Sequence, residues 1–376
     1  MTADVVIAGG GGMGTAAAYH LAARGQRVLV LERFGLAHDR GSSHGLTRII
    51  RLAYFEHPSY VPLLRRAFEL WRSLEAEAGE RLLHVTGALD VGAPGGEVFE
   101  GSRRSCIEHG LPHDILTGAE VRRRFPAWRL DDQAAAVFQP DGGFLTPERC
   151  VLAHAAGARK AGAVVHEHEA VLGWETSGGG VRVRTSTGSH EAGQLVLSAG
   201  AWMGALVPPL ASLMSPERQV LGWFAISDPA SFTPGRFPVF VHDADEGRFY
   251  GFPEFEVPGF KIGRYHHLAE VVDPDAMDRG CHPADEAALR AAVARYFPAA
   301  NGPLLRSAAC LFTNTPDEHF IVDRHPESPA VLVVSPCSGH GFKFCSVIGE
   351  IVADLVTRDR TDHDISAFRL GRFAAR

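Results

Sequence analysis

The sequence predicts an α/β fold in which a parallel-sheet domain is interleaved with a second, strand-rich lobe. Three observations predict it. A strand–glycine turn–helix–strand unit opens the chain. A second strand–glycine–helix point recurs at Gln194–Trp202. Runs of aromatic and β-branched residues, each of strand length, fill Pro216–Cys310.

The opening unit is justified residue by residue. Asp4–Ala8 is a short apolar run, enough for one buried strand. Gly9 to Gly14 follow as Gly-Gly-Gly-Gly-Met-Gly, then Thr15–Arg24 reads as an alanine-rich helix. Arg27–Glu32 is a second strand ending in an acid. This is the dinucleotide-binding pattern. Gly9 permits a tight turn, Gly11 lets a pyrophosphate approach the backbone at the helix N-terminus, and Gly14 lets helix and strand pack closely. Glu32 is acceptor-only and suits a ribose hydroxyl.

The rest of the chain follows in order. Residues 33–45 have loop composition, and a loop of that length is expected to be functional. Thr47–Arg51 alternates basic and apolar residues and leaves helix and strand both open. Tyr60–Ala78 carries a helical apolar stripe. Gly87–Gly92 reads as a strand, Val98–Gly110 and Gly118–Phe125 as helices, and Ala134–Phe138 and Gly143–Leu145 as strands. Pro147–Ala161 is the next helix and Ala163–Val165 a strand. Val171–Thr176, Val181–Thr185 and Glu191–Ser198 resemble an antiparallel meander. In the aromatic stretch, strands are expected at Trp223–Ile226, Val239–Val241, Phe249–Phe252 and Lys261–Gly263, with a helix at Ala284–Tyr296. Phe320–Asp323 and Ala330–Val334 are strands, and Phe344–Val356 is the closing helix.

Composition sets bounds. The 376 residues suffice for two lobes, and 45% hydrophobic with 22% charged residues is ordinary for a globular protein. A net charge of −7 argues against a nucleic-acid partner. No apolar run is long enough to span a membrane, and the first strand begins too early for a signal peptide. The six cysteines form no CxxC pair and suggest neither a metal site nor a disulfide framework, so reduced thiols in the cytoplasm are expected.

Five blocks together resemble one family. They are Gly9–Gly14 with Glu32; Gly41–Arg51; Tyr250–Pro253 with Lys261; Cys310 with Asp317–Asp323; and Ser338–Phe344. In this order they resemble the flavin amine oxidases of the D-amino-acid oxidase superfamily, in the monomeric sarcosine oxidase and N-methyltryptophan oxidase family. The resemblance implies an FAD-binding Rossmann-like domain of the glutathione-reductase type, at 1–85, 145–215 and 315–376. An antiparallel-sheet substrate domain would take 86–144 and 216–314. It also implies oxidation of secondary amines, namely N-methyl amino acids, with O2 as acceptor, by a monomer or homodimer. Cyclic imino acids or glycated amino acids, oxidised by an oxidase or dehydrogenase, are the alternative. A non-catalytic flavin-binding redox protein is the remote one.

The resemblance distributes roles. FAD would be held by Gly9, Gly11, Gly12, Met13 and Gly14, by Glu32 and Arg33, and by Ser42, Ser43, Thr47 and Arg48. Gly200 and Trp202, then Gly339, His340, Gly341, Phe342 and Lys343, complete the cofactor set. Cys310 matches the cysteine bonded covalently to flavin, though its own spacing does not distinguish it among six thiols. Lys261 matches the oxygen-activating lysine, a fixed cation beside developing negative charge. Arg51 and Lys343 match the pair holding the substrate carboxylate. Lys343 lies in an apolar run where a solvated lysine is unexpected. Arg48 and His44 match groups beside the flavin. Tyr250 and His266 match residues lining the amine end. The Lys261–His267 stretch has one residue more than the family pattern, which leaves His266 and His267 both open. Phe312 stands where the family carries tyrosine, and Cys337 where it carries a large apolar residue.

Overall fold

The computed structural model describes residues 3–373. The opening strand, Ala3–Ala8, pairs in parallel with Val28–Leu31 on one side and with Ser189–Leu197 on the other. Val164–His166 and Ser328–Ser335 extend this parallel core at its two flanks. The meander Val171–Ser177, Gly180–Thr185 and Ser189–Leu197 is antiparallel, and its last strand runs on into the parallel core. Ile321–His325 closes the eight-stranded sheet as an antiparallel partner of Ser328–Ser335. The helix Gly12–Ala23 packs between Pro147–Lys160 and Cys345–Arg358. It comes close to the last of these because a Cβ on Gly349 would sit 2.6 Å from the Ala16 backbone.

A second eight-stranded sheet runs Leu304–Asn314, Ser215–Phe224, Phe260–Arg264, Gly247–Phe252, Val239–Ala244, Ala88–Gly92, Ala135–Gln139, Asp114–Thr117. All its pairings are antiparallel except Val239–Ala244 with Ala88–Gly92. One face carries an aromatic core of Phe232, Phe237, Phe240, Phe260, Phe297 and Trp128. A three-stranded sheet, Arg48–Ile50, Gly143–Leu145 and Leu83–Val85, lies apart from both. The α/β expectation therefore holds, with strands of the second sheet drawn from two separate parts of the chain.

Several elements differ from the sequence reading. The strand expected at Trp223–Ile226 is Ser215–Phe224, and Leu304–Asn314 was not foreseen. The first hides its pattern because its residues from Glu217 onward are all buried, including Glu217, Arg218 and Gln219. Both faces are covered, so polar and apolar residues do not alternate. Arg218 can sit there because Asp285 accepts two of its N–H groups, at 2.8 and 2.9 Å. The short strands Leu83–Val85 and Asp114–Thr117 also gave no signal. The open stretch at Thr47–Arg51 resolves as the strand Arg48–Ile50. Among the described residues, no helix is long and apolar enough to cross a membrane.

Candidate active site

The glycine turn folds as its sequence requires. Gly9 has φ +107°, and a Cβ there would meet Ser198 O at 2.5 Å. A Cβ on Gly14 would lie 1.8 Å from Gly9 O, so only glycine lets helix and strand meet. The helix begins after Gly11 without a side-chain cap from that residue; Gly12 N donates to Ser43 Oγ at 3.2 Å, so an anion at this N-terminus would sit beside Ser43. Glu32 is buried and clamps this turn: Oε2 accepts from Gly10 N at 2.6 Å and Oε1 from Phe34 N at 2.8 Å. Burial pushes its pKa up, but hydrogen bonds from His38, Phe34 and Gly10 outweigh this and hold it below the usual range.

These residues line one end of a cavity of about 420 Å³. Gly9, Gly11, Gly12, Met13, Glu32, Arg33, Ser42 and Ser43 all face it, as do Gly200 and Trp202. Gly14 does not line it and serves packing instead. The Trp202 indole donates to Asp275 at 2.8 Å, and Asp275 also pairs with Arg33 at 2.8 Å, closing a wall no motif announced. At the far end stand Arg48, Cys310, Phe312, Gly339, Gly341 and Phe342.

A smaller cavity of about 60 Å³ adjoins it. Arg48, Cys310, Phe312, Gly339 and Phe342 line both cavities. Its other walls include Arg51, Lys343, His340, Tyr250 and Tyr265. The long cavity thus ends on a buried thiol, and the small one continues past it to two buried cations.

Matches to known proteins show the family. Residues 4–355 match the family described as FAD dependent oxidoreductase. The chain belongs to this family. It is 42% identical to the monomeric sarcosine oxidase of Streptomyces avermitilis, over 100% of this chain and 98% of that one. It is 34% identical to the N-methyl-L-tryptophan oxidase of Yersinia pestis, over 99% of this chain and 100% of that one. Among solved structures, NikD, described as an unusual amino acid oxidase essential for nikkomycin biosynthesis, superposes with a TM-score of 0.85. That match is at 27% identity and covers 98% of this chain and 97% of NikD. An FAD of this family fits the long cavity. Glycines stand where side chains would block the turn, and an ionised acceptor stands at the strand end.

Two carboxylates that the sequence did not reveal, Glu56 and Asp90, stand against Arg51 at the small cavity. Arg51 donates to Ala53 O at 2.7 Å and to Glu56 at 3.0 Å, and lies 3.5 Å from Asp90. Its guanidinium is also 4.7 Å from the ring centres of Tyr54 and Phe55. Burial pushes the Asp90 carboxyl up to about 6, against the pull of Arg51 and the Ser102 hydroxyl. Lys343 Nζ donates to His340 O at 2.8 Å, and burial lowers its pKa to about 7. His340 donates from Nε2 to Glu318 O at 3.0 Å, so its Nδ1 accepts from Tyr54 Oη at 2.5 Å. Burial is the main reason its pKa falls to about 4, consistent with that neutral tautomer.

Lys261, Thr47 and His44 lie behind the cavity walls. Lys261 lines neither cavity. It is buried and donates to Gly45 O, Thr47 O and Thr47 Oγ1, at 2.6, 2.9 and 2.8 Å. Burial and the Arg48 charge drive its pKa well down. The lysine therefore pins the loop that carries Arg48, whose guanidinium donates to Ser42 O and Thr47 O. His44 is buried with Nε2 unpartnered, and burial with Arg48 lowers its pKa to about 4.

The structure places His266 away from both cavities. Neither His266 nor His267 lines either of these two cavities; Tyr265 lines the smaller one. Along the strand Phe260–Arg264, side chains alternate, so Lys261, Gly263 and Tyr265 share one face. Tyr265 N donates to Arg248 O at 2.7 Å, carrying the pairing one residue past the strand. His266 then turns with φ +53° and bridges Glu217 and Glu318, at 3.1 and 3.0 Å. Those two carboxylates raise its pKa to about 10. His267 is bound to Asp285 at 2.8 Å. Counting by twos from Lys261 in the sequence would have found Tyr265.

Proposed function

We propose that this chain is an FAD-dependent oxidase of small N-methyl amino acids, with O2 as electron acceptor. The bound flavin would accept two electrons and a hydrogen from the carbon beside the amine nitrogen and pass them to O2 as hydrogen peroxide. Hydrolysis of the resulting imine yields formaldehyde and the primary amino acid. One observation carries the reading: a small cavity with two buried cations opens on the long cavity across Arg48 and Cys310.

The chain's own residues divide the work. Glu32, Arg33, Trp202 and the glycine turn hold the adenosine and pyrophosphate end. Cys310, at the junction, is the site of covalent attachment to flavin. Arg51 and Lys343 bind the substrate carboxylate, the first as a fork and the second as a point charge. Tyr250, Tyr265 and Phe312 enclose the amine, with ring centres of Tyr265 at 5.7 Å from Tyr250 and 5.6 Å from Phe312. Arg48 supports negative charge on the reduced ring, and Lys261 acts on oxygen reduction from behind the Gly45–Thr47 loop.

Size supports a small substrate. A water needs roughly 10–15 Å³ of such space, so the small cavity, at about 60 Å³, suits sarcosine and not an indole side chain. The test is a panel of sarcosine, N-methylalanine, proline, pipecolate and N-methyltryptophan, read by peroxide release and by anaerobic flavin bleaching. Sarcosine should be turned over with the highest kcat/KM. Bleaching by none of them would overturn the reading, and bleaching without peroxide would identify a dehydrogenase.

A further inference from the structure

Two histidines and a glutamate converge outside both cavities. His166 ends the strand Val164–His166, Glu169 lies in the connector after it, and His190 sits at the start of Ser189–Leu197. Their ligand atoms all lie within 4.8 Å of one another. His166 Nδ1 is 2.8 Å from Glu169 Oε2, and His190 Nε2 is 2.7 Å from Oε1. Glu169 is only 6% exposed, whereas both imidazoles reach solvent. We propose that His166, Glu169 and His190 form a binding site for one divalent transition-metal ion of the zinc class.

The donor set suits that class. Two imidazoles and a carboxylate are ligands for zinc and its neighbours, and not for magnesium or calcium, which take oxygen alone. Tetrahedral zinc separates its ligand atoms by roughly 3.3 Å. The present contacts of 2.7 and 2.8 Å would open by about 0.5 Å as the ion replaces the shared protons. The exposed side of the imidazoles leaves a fourth position for water. Thr185 Oγ1 donates to Glu169 Oε1 at 2.6 Å and holds the carboxylate in place, as the supporting hydrogen bonds of metal ligands do. The cysteine spacing gave no hint of such a site, because none of its ligands is a cysteine and His190 comes from a strand 21 residues beyond Glu169.

The place in the fold gives the ion a structural use. His190 belongs to the meander, His166 to the flank of the parallel core, so one ion would clip the two together. The clip is one peptide away from Glu32. Glu32 N donates to His166 O at 2.9 Å, and Glu169 N donates to Glu32 O at 2.8 Å. The site stands independently of the reading of the substrate cavity.

The test is equilibrium dialysis of the flavin-loaded chain against Zn2+, with metal analysis and X-ray absorption. One ion per chain with only nitrogen and oxygen ligands is expected. His190→Ala and His166→Gln should each weaken binding at least about tenfold, and Thr185→Val about 10- to 100-fold. The visible flavin spectrum reports whether each variant is folded. A parent chain that binds no stoichiometric Zn2+, a sulfur ligand in its spectrum, or undiminished binding in the histidine variants would overturn the proposal.

Discussion

Raising the pH should loosen the small cavity's hold on a carboxylate, through Lys343. The side chain is buried, and its pKa falls from 10.5 to about 7. Burial is the main cause; Arg51 adds to it, and Glu56 and Asp90 oppose it. A bound carboxylate favours the ammonium form, so ligand binding above pH 7 must take up a proton. Each pH unit above that point then costs about 1.4 kcal/mol, a tenfold rise in Kd. Between that point and about 6, where Asp90 titrates, the affinity is flat. The assay is titration of the oxidised flavoprotein with acetate, followed by the flavin absorption band between about pH 6 and 9. Lys343→Met should bind more weakly and without the slope. Glu56→Gln removes an opposing charge and should move the break to lower pH. A parent Kd that does not change across this range, or an equal slope in Lys343→Met, would refute the reasoning. Folding carries a related sign. The unfolded chain keeps this proton up to 10.5, so Lys343 costs stability below about 7, and the cost fades as pH rises toward 10.5.

Cys310→Ser should let FAD pass a spin filter after acid denaturation, whereas the parent retains yellow colour on the protein; colour in the parent's filtrate would exclude the covalent bond. Lys261→Met should slow flavin reoxidation by O2 about 10²- to 10³-fold in stopped flow and leave reduction by substrate far less affected; equal slowing of both steps would remove its oxygen role. Tyr265→His shortens one wall of the amine box and should raise kcat/KM for N-methylalanine relative to sarcosine by about tenfold; an unchanged ratio would show that this wall does not select. Gly14→Ala forces a methyl to 1.8 Å from Gly9 O. It should lower stability by about 1–3 kcal/mol and reduce FAD content, read by thermal melting and absorbance ratio.

Local pattern made much of this protein legible. The Gly9–Glu32 unit, the Tyr60–Ala78 stripe and the Gly339-His340-Gly341 turn before the last helix are short-range features, in which a residue's conformation follows from its own neighbours. Those features pointed to the parallel sheet and the nucleotide turn, and the apolar run around Lys343 marked that lysine; Arg48 and Cys310 came only from the family resemblance. Tertiary structure alone decided what surrounds them. Strand parity brought Tyr265 instead of His266 to the cavity, because a side chain's face is set by register from Lys261 and not by residue type. Folding brought Glu56 and Asp90 against Arg51 and left Lys261 tied to the Gly45–Thr47 backbone, which converts apparent free cations into paired or hydrogen-bonded ones. It also joined His166, Glu169 and His190 across two strands. Sequence spacing records which residues can share an element; only packing determines which charges meet across elements, because that depends on distances through space between segments far apart along the chain.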